Sequence, residues 1–335
     1  MMGRKVALVT GGAGFIGSHA VDLLVEEGFD VRVIDNLVGG RESNLAQHVG
    51  SSQVELDRRD IRAIPSNDAI YKEVAFVLHF AGIGDIVPSI DRPVEYMSAN
   101  VMGTVSALEG ARWAGVSKFV YAASSSCYGI CDQVPTREDA PIKPQYPYAL
   151  SKYQGEQAVF HWHQVYKLPV NAIRIFNAYG LRSRTTGAYG AVFGVFLKQK
   201  LAGKPFTVVG DGSQTRDFVY VTDVAKAFYL ASQTARVGQV YNLGAGNPQS
   251  VNRLVALLEA PSVEYLPKRP GEPDCTWADI TKITSELGWK QEVSFEKGVG
   301  LMRGQIELWN DAPLWDRTSI AQATKGWFDT LRPES

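Results

Sequence analysis

The chain of 335 residues has only three cysteines, no apolar run long enough to span a bilayer, no excess of either charge, and no repeat or low-complexity tract. Each scarcity excludes something. Cys127, Cys131 and Cys275 are odd in number and stand at neither zinc nor disulfide spacing, which predicts no metal site and fits a reducing compartment. Cys127 and Cys131 read as bystanders rather than nucleophiles. With 34 basic against 35 acidic side chains there is no long-range pull toward nucleic acid or an anionic membrane, so a small molecule is the expected partner. The start M-M-G-R-K runs straight into an apolar strand with no signal segment ahead of it, and the expected location is cytoplasmic. The length suits one large domain, or a domain with a smaller lobe.

What is present begins at Lys5. The strand K-V-A-L-V-T leads into the turn G-G-A-G-F-I-G and then a helix patterned on Phe15, Ile16, Ala20, Leu23 and Leu24. Gly11, Gly14 and Gly17 stand at G-x-x-G-x-x-G spacing, each removing a Cβ where a tight turn, an approaching pyrophosphate or a helix-on-strand contact needs the room. The phosphates of a dinucleotide would sit on the helix N-terminus, where unpaired N–H groups and the positive end of the helix dipole favour an anion without a lysine. A second strand, D-V-R-V-I-D, ends in Asp35, placed to accept both ribose hydroxyls of the adenosine. A 2′-phosphate there would meet a like charge, so NAD is expected over NADP despite nearby Arg41.

Strands and helices then alternate: N-L-V-G-G-R-E-S as loop, a strand over 53–56, a short helix near Ala69, and the strand A-F-V-L-H-F over 75–80. Such alternation predicts an α/β fold, a Rossmann-type doubly wound parallel sheet with a smaller C-terminal α/β substrate-binding lobe. The expected cofactor domain covers residues 1–176 with return segments from about 206–244. The lobe takes most of 177–335, with a C-terminal helical cap. Asp60 and Ile61 follow the third strand, where a side chain could meet the adenine. His79 reads as a satisfied core histidine. The tip Phe80-Ala81-Gly82 is small enough after its first residue for a cofactor to lie over the strand ends, and a long helix over 93–115 contains Asn100.

The strand K-F-V-Y-A-A ends in S-S-S-C-Y-G, and Y-A-L-S-K opens the next helix. Tyr148 and Lys152 are four residues apart, hence on one helix face, and Ser124 stands at the mouth of the preceding strand. A hydroxyl near a carbonyl, a phenol poised to move a proton and a lysine beside it make an apparatus for oxidising an alcohol. Free tyrosine ionises near pH ~10, so an adjacent ammonium and a positive nicotinamide must favour the phenolate.

These segments, with D-N-L, H-F-A-G, R-I-F-N-A-Y-G and G-D-G-S-Q-T-R-D-F-V-Y-V-T-D-V, together resemble the extended short-chain dehydrogenase/reductases that act on nucleotide sugars. The likeness runs from about residue 5 to residue 300. It implies an NAD pocket formed by Gly11, Gly14, Phe15, Ile16, Gly17, Asp35, Asn36, Leu37, Asp60, Ile61, Phe80, Ala81, Gly82, Asn100, Tyr148 and Lys152. It also implies Tyr148 as general base or acid, Lys152 on the nicotinamide ribose and lowering the phenol pKa, and Ser124 on the sugar hydroxyl. For a nucleotide-diphosphate sugar it implies Ser126, Asn177, Ala191 and Val192, with Arg216 and Arg269 gripping the pyrophosphate through a planar fork suited to two phosphate oxygens. Glu272 matches an acidic position on the nucleotide ribose. By the same resemblance the chain forms a homodimer through a four-helix interface that includes Val105, Leu108, Val159, Phe160 and Trp162.

The residues after Ser124 discriminate among reactions. Sugar 4,6-dehydratases of this family carry an Asp-Glu pair there and the glucuronate decarboxylases keep the glutamate, whereas this chain has Ser125 and Ser126, which cannot ionise near neutrality. What remains is oxidation at C4 and its reversal, a 4-epimerisation resembling that of the UDP-sugar 4-epimerases. A dehydratase, a decarboxylase, a ketosugar reductase with exchanging NADPH, or an idle NAD-binding sensor are the alternatives. Thr276 stands where those epimerases border the hexose and where a tyrosine is associated with excluding N-acetyl groups. A pocket admitting N-acetylhexosamines is therefore expected. Gly84 departs from the lysine that some galactose epimerases place near the phosphates. Beyond Ser294 one amphipathic helix through Trp309 is expected, then a tail docked by Trp315, Trp327 and Phe328.

Overall fold

The computed structural model describes residues 4–183 and 192–331. Its first six strands are β1 (Val6–Thr10), β2 (Asp30–Ile34), β3 (Val54–Asp57), β4 (Val74–His79), β5 (Lys118–Ser124) and β6 (Val170–Ile175). With the strand Gln239–Leu243 they form a seven-stranded sheet in the order Gln239–Leu243, β6, β5, β4, β1, β2, β3. Every pairing in it is parallel. Near-continuous apolar strands such as V-A-L-V-T suit a sheet covered on both faces. The helices Phe15–Glu26 and Val221–Gln233 cover one face, and Gly103–Ala114 and Pro147–Tyr166 the other. Strand order reverses between β1 and β4, and a doubly wound sheet opens its ligand crevice at such a point.

A separate apolar core, including Phe193, Phe196, Phe206, Leu254, Met302, Trp309 and Trp327, holds the C-terminal part together. Small two-stranded sheets frame it: Asn177–Tyr179 with Phe218–Tyr220, Phe206–Val209 with Val263–Leu266, and Thr215–Arg216 with Gln249–Ser250. No helix among the described residues is long and apolar enough to cross a membrane.

The sequence expectations need several corrections. The strand expected to run on through Asn177 stops at Ile175, and the chain leaves the main sheet there to pair with Phe218–Tyr220. Of the expected return stretch, Gln239–Leu243 joins the main sheet, but Phe206–Val209 pairs with Val263–Leu266 in the lobe. The loop after Asp35 closes into a 3-10 turn, Glu42–His48. The helix from Pro93 does run to Ala114, with a wide π-type turn over Met97–Met102 and a left-handed stop at Gly115. The helix expected through Trp309 ends at Gly304, because Leu301 and Leu308 are exposed and only Phe295, Gly298, Val299 and Met302 face the core. Leu108 and Val159, expected on a pairing face, are fully buried in the chain's own core.

Candidate functional site

The crevice is built first from glycine. Gly11, at φ +70°, turns the chain out of β1, and a Cβ on it would lie 2.7 Å from the Ala81 nitrogen at the tip of β4. A Cβ on Gly17 would fall on the Gly11 carbonyl oxygen. The tips of β1 and β4 and the following helix thus close on one another only because side chains are missing. Gly14 precedes the helix Phe15–Glu26 and provides no side-chain cap, which leaves first-turn N–H groups and the positive dipole end for an anion. A dinucleotide diphosphate fits this cradle. Phe15 and Ile16 pack half-buried against the lobe core.

Asp35 is 7% exposed, and its carboxylate accepts from the Ala13 N–H at 3.0 Å and the Leu37 N–H at 2.9 Å. Burial pushes its pKa up, and the N–H groups of Leu37, Ala13 and Gly14 pull it back. Exposed Asn36 donates to Asp60 at 2.9 Å, while the Arg62 guanidinium holds the Asp60 carboxyl well below the usual range. Ile61 is buried, its side chain part of the core on one face of the sheet. Phe80 rests on Phe228, 4.4 Å between ring centres. Buried Asn100 accepts from the Ile83 N–H at 2.7 Å and donates to Ser151 at 2.9 Å, tying the loop that contains Gly82 to the helix of Tyr148. His79 is the satisfied core residue expected, with Thr10 Oγ1 at 2.6 Å, Thr104 Oγ1 at 3.0 Å and a pKa pushed down to about 3 by burial.

Ser124 closes β5 and caps the turn Ser125–Tyr128: its Oγ accepts from the Ser126 N–H at 3.2 Å and lies 2.8 Å from the Ser126 hydroxyl. The same Ser124 side chain lies near enough to the Tyr148 phenol to act on its pKa. Pro147 opens the helix Pro147–Tyr166, where its missing N–H costs nothing, and sets Lys152 one turn beyond Tyr148. The Lys152 amine lies 4.7 Å over the Tyr121 ring, and burial lowers its pKa to about 8 against the support of Glu156. Glu156 in turn is gripped by Arg174 through bonds of 2.6 and 2.9 Å. Burial pushes the Tyr148 phenol up, and the Ser124 hydroxyl offsets part of that. In the free protein desolvation is the largest effect on this phenol. Cys127 is buried with its thiol pushed up to about 12, which makes it an inert bystander.

Arg216 and Arg269, far apart in sequence, meet at one carboxylate: Glu272 lies 3.9 Å from Arg216 and 3.1 Å from Arg269. Beside them the Thr276 hydroxyl donates to the Asn177 side-chain oxygen at 2.8 Å. Val192 opens the helix Val192–Leu201 and packs on the lobe core; Ala191 and residues 184–190 of the expected site loop lie outside the described residues.

Two residues of this region escaped sequence reasoning, and a third, Trp327, was expected only to dock the tail. Asp217, fully buried, accepts from the N–H groups of Ala245 at 2.7 Å, Gly246 at 3.1 Å and Ala278 at 2.9 Å, pinning the loops on either side of Thr276. Its place directly after Arg216 was the available signal. Tyr146 stacks on Tyr148 at 6.5 Å and 10° between rings, and Trp327 packs on Tyr146 at 5.0 Å. No spacing rule connects a tail tryptophan to a helix start so far upstream. A concavity of about 340 Å³, lined partly by Lys5, Phe29 and Lys118, opens at the opposite strand ends, where the Lys118 amine is already bonded to the Arg236 carbonyl.

A family model described as the NAD dependent epimerase/dehydratase family matches residues 7–244. The chain is 36% identical over 299 residues to the UDP-glucose 4-epimerase of Mycolicibacterium smegmatis, covering 87% of this chain and 95% of that protein. Among solved structures it superposes with a TM-score of 0.86 on the UDP-N-acetylglucosamine 4-epimerase of Methanobrevibacter ruminantium, at 30% identity over 92% of this chain and 99% of that one. It superposes with a TM-score of 0.84 on the UDP-glucuronic acid 4-epimerase of Bacillus cereus bound to UDP-glucuronic acid and NAD, at 30% identity over 90% of this chain and 99% of that one.

Proposed function

Because the chain belongs to the NAD-dependent epimerase/dehydratase family, we propose that it inverts C4 of a UDP-hexose, in plain or N-acetylated form, through a transient 4-keto sugar. The observation that carries this reading is the meeting of Ser124, Tyr148 and Lys152 at the tip of β5, beside the glycine-lined reversal of strand order. Bound NAD would supply reversible hydride acceptance from carbon. The N–H groups around Gly11, Gly14 and Gly17 would hold its diphosphate, Asp35 its adenosine ribose, and Lys152 its nicotinamide ribose.

Tyr148 takes the proton from the sugar O4 as its phenolate and later returns it as the phenol, and Ser124 holds that oxygen in place. Arg216 and Arg269 grip the diphosphate of the sugar nucleotide, and Glu272 between them accepts from the nucleotide ribose. Hydroxyls at Ser125 and Ser126, in place of carboxyls, leave the ketone without a neighbouring acid or base, which speaks against dehydration and decarboxylation. The short Thr276 side chain favours acceptance of an acetamido group. Residues before Asn177 serve mainly the cofactor, those after it the sugar nucleotide, and two copies pair through the helices Gly103–Ala114 and Pro147–Tyr166. Half-buried Val105, Phe160 and Trp162 and exposed Trp113, Val165 and Tyr166 are among the side chains these helices offer to that pairing.

The test is incubation of purified protein separately with UDP-glucose and UDP-N-acetylglucosamine, reading C4 stereochemistry by NMR. Appearance of the galacto product without added NAD supports the reading. Carbon dioxide release, a stable 4-keto product, or no turnover of any UDP-hexose overturns it.

A further inference from the structure

The C-terminal tail supplies a part of the site that none of the sequence motifs contains. Helices Arg317–Ala323 and Lys325–Thr330 are held by their own anchors: an Asp316–Ser319 capping box, the Arg317 bond to the Tyr265 carbonyl at 2.8 Å, and the Gln199 bond to the Trp315 carbonyl at 2.8 Å. From this base Trp327 reaches into the protein and is 1% exposed. Its indole N–H donates to the Pro270 carbonyl at 2.9 Å, in the loop that bears Arg269 and Glu272. Its ring lies 5.0 Å from that of Tyr146, which is stacked 6.5 Å from Tyr148. Tyr96 closes the other side of Tyr148 edge-on at 6.4 Å. The tail also crosses a third loop, since a Cβ on Gly326 would lie 2.6 Å from an Asp91 carboxylate oxygen.

We propose that Trp327 is a positioning residue for the reaction: one indole braces Tyr146, and so the phenol of Tyr148, while its N–H fixes the Arg269–Glu272 loop, joining the proton-transfer end of the site to the diphosphate end. The assignment rests on the proposed reading for which ends those are. An indole suits the task because its face is apolar while its edge carries one fixed donor. A ring held at both ends lets neither the phenol nor the arginine loop move alone, and small misplacements of reacting groups are costly in rate. Tyr146 supports the link, since its hydroxyl lies within the fields of Arg216, Arg269 and Glu272.

Trp327→Phe keeps a ring and deletes the donor; Trp327→Leu removes the ring as well. Titration with UDP alone reads the diphosphate end without turnover, and KM against kcat for a UDP-hexose reads both ends. For Trp327→Phe the expected result is a rise of about five- to tenfold in the UDP Kd and in KM, with kcat within about twofold of the parent. Trp327→Leu should also lower kcat, about tenfold. Ile320→Ala, at another buried tail residue on the neighbouring helix, is the control for loss of tail packing. The proposal is overturned if both Trp327 variants keep the parental Kd, KM and kcat. It is equally overturned if Ile320→Ala, at the same loss in melting temperature, gives the same split. Absence of hexose turnover in the parent protein would sink the epimerase reading, while the UDP titration would still decide the role of Trp327.

Discussion

Thr276 and Asn177 share a hydrogen bond: the threonine hydroxyl donates to the asparagine side-chain oxygen at 2.8 Å, and the same hydroxyl accepts from the Asp217 N–H at 3.2 Å. A small side chain at 276 is therefore doing two things, leaving space and holding Asn177. The two separate by substitution. Thr276→Val keeps the space and loses the bond, worth about 1 kcal/mol, so turnover of both plain and N-acetylated UDP-hexose should fall by a similar factor of about five. Thr276→Tyr fills the space and should lower kcat/KM for the N-acetyl sugar by more than about tenfold relative to the plain one. Unchanged relative turnover of the two sugars by Thr276→Tyr would remove the case for this residue as a gate.

Tyr148→Phe deletes one oxygen from a half-buried site without opening a cavity. Loss of the proton-transfer group should cut kcat by about 10²–10⁴-fold, with thermal stability and the amount of co-purifying nicotinamide close to parental values. Single-turnover kinetics monitored at the absorbance of reduced nicotinamide checks it; a variant within a few-fold of the parent would exclude the phenol as the acid–base group.

Lys152 gives a pH dependence of stability with a definite sign. Burial lowers its pKa to about 8, below the ordinary lysine value of 10.5, so between those limits the unfolded chain binds more protons than the folded one. Stability of the ligand-free protein therefore rises with pH from about 8 to about 10.5, by an amount on the order of 3 kcal/mol from this group at the upper limit. Lys152→Met should be more stable than the parent at pH 7 and should lack this part of the slope. Urea midpoints at pH 7 and pH 9.5 measure the difference; equal slopes in the two proteins would refute it.

Arg174 and Glu156 are both nearly buried, 5% and 3% exposed, and Arg174 also bonds Tyr128 at 2.7 Å and the Glu138 carbonyl at 3.0 Å. Arg174→Met strands a carboxylate one turn from Lys152 and should cost about 3–5 kcal/mol. The double variant Arg174→Met, Glu156→Leu should recover much of that loss, because two apolar side chains remove the stranded charge. Denaturant unfolding of the parent, Arg174→Met, Glu156→Leu and the double variant gives the coupling directly, and additive losses would contradict it.

The features legible in the sequence were those fixed by local chemistry. The G-x-x-G-x-x-G turn, Asp35 at a strand end and the four-residue step from Tyr148 to Lys152 each follow from neighbours in the chain, and a doubly wound parallel sheet follows from the alternation of strands and helices. What was illegible depended on distant segments meeting. Asn177 leaves the main sheet to pair with Phe218–Tyr220, which nothing near Asn177 reveals. The expected helix through Trp309 failed because apolar residues beyond Gly304 do not continue one buried face: Leu308 is 52% exposed while Trp309 is buried. Trp327 was read as packing and nothing more, since its partners Tyr146 and Pro270 come from two other parts of the chain. The raised phenol and lowered amine of the free protein likewise follow from burial, which motif spacing does not encode.

The two backbone N–H bonds received by Asp35 bear on any attempt to retool the protein for a phosphorylated dinucleotide. Its carboxylate is a brace for Ala13 and Leu37 as well as a reader of sugar hydroxyls, so exchanging it for a neutral or basic side chain would unfasten the turn that cradles the diphosphate. A switch of cofactor must therefore begin by rebuilding that turn, with the charge altered afterwards.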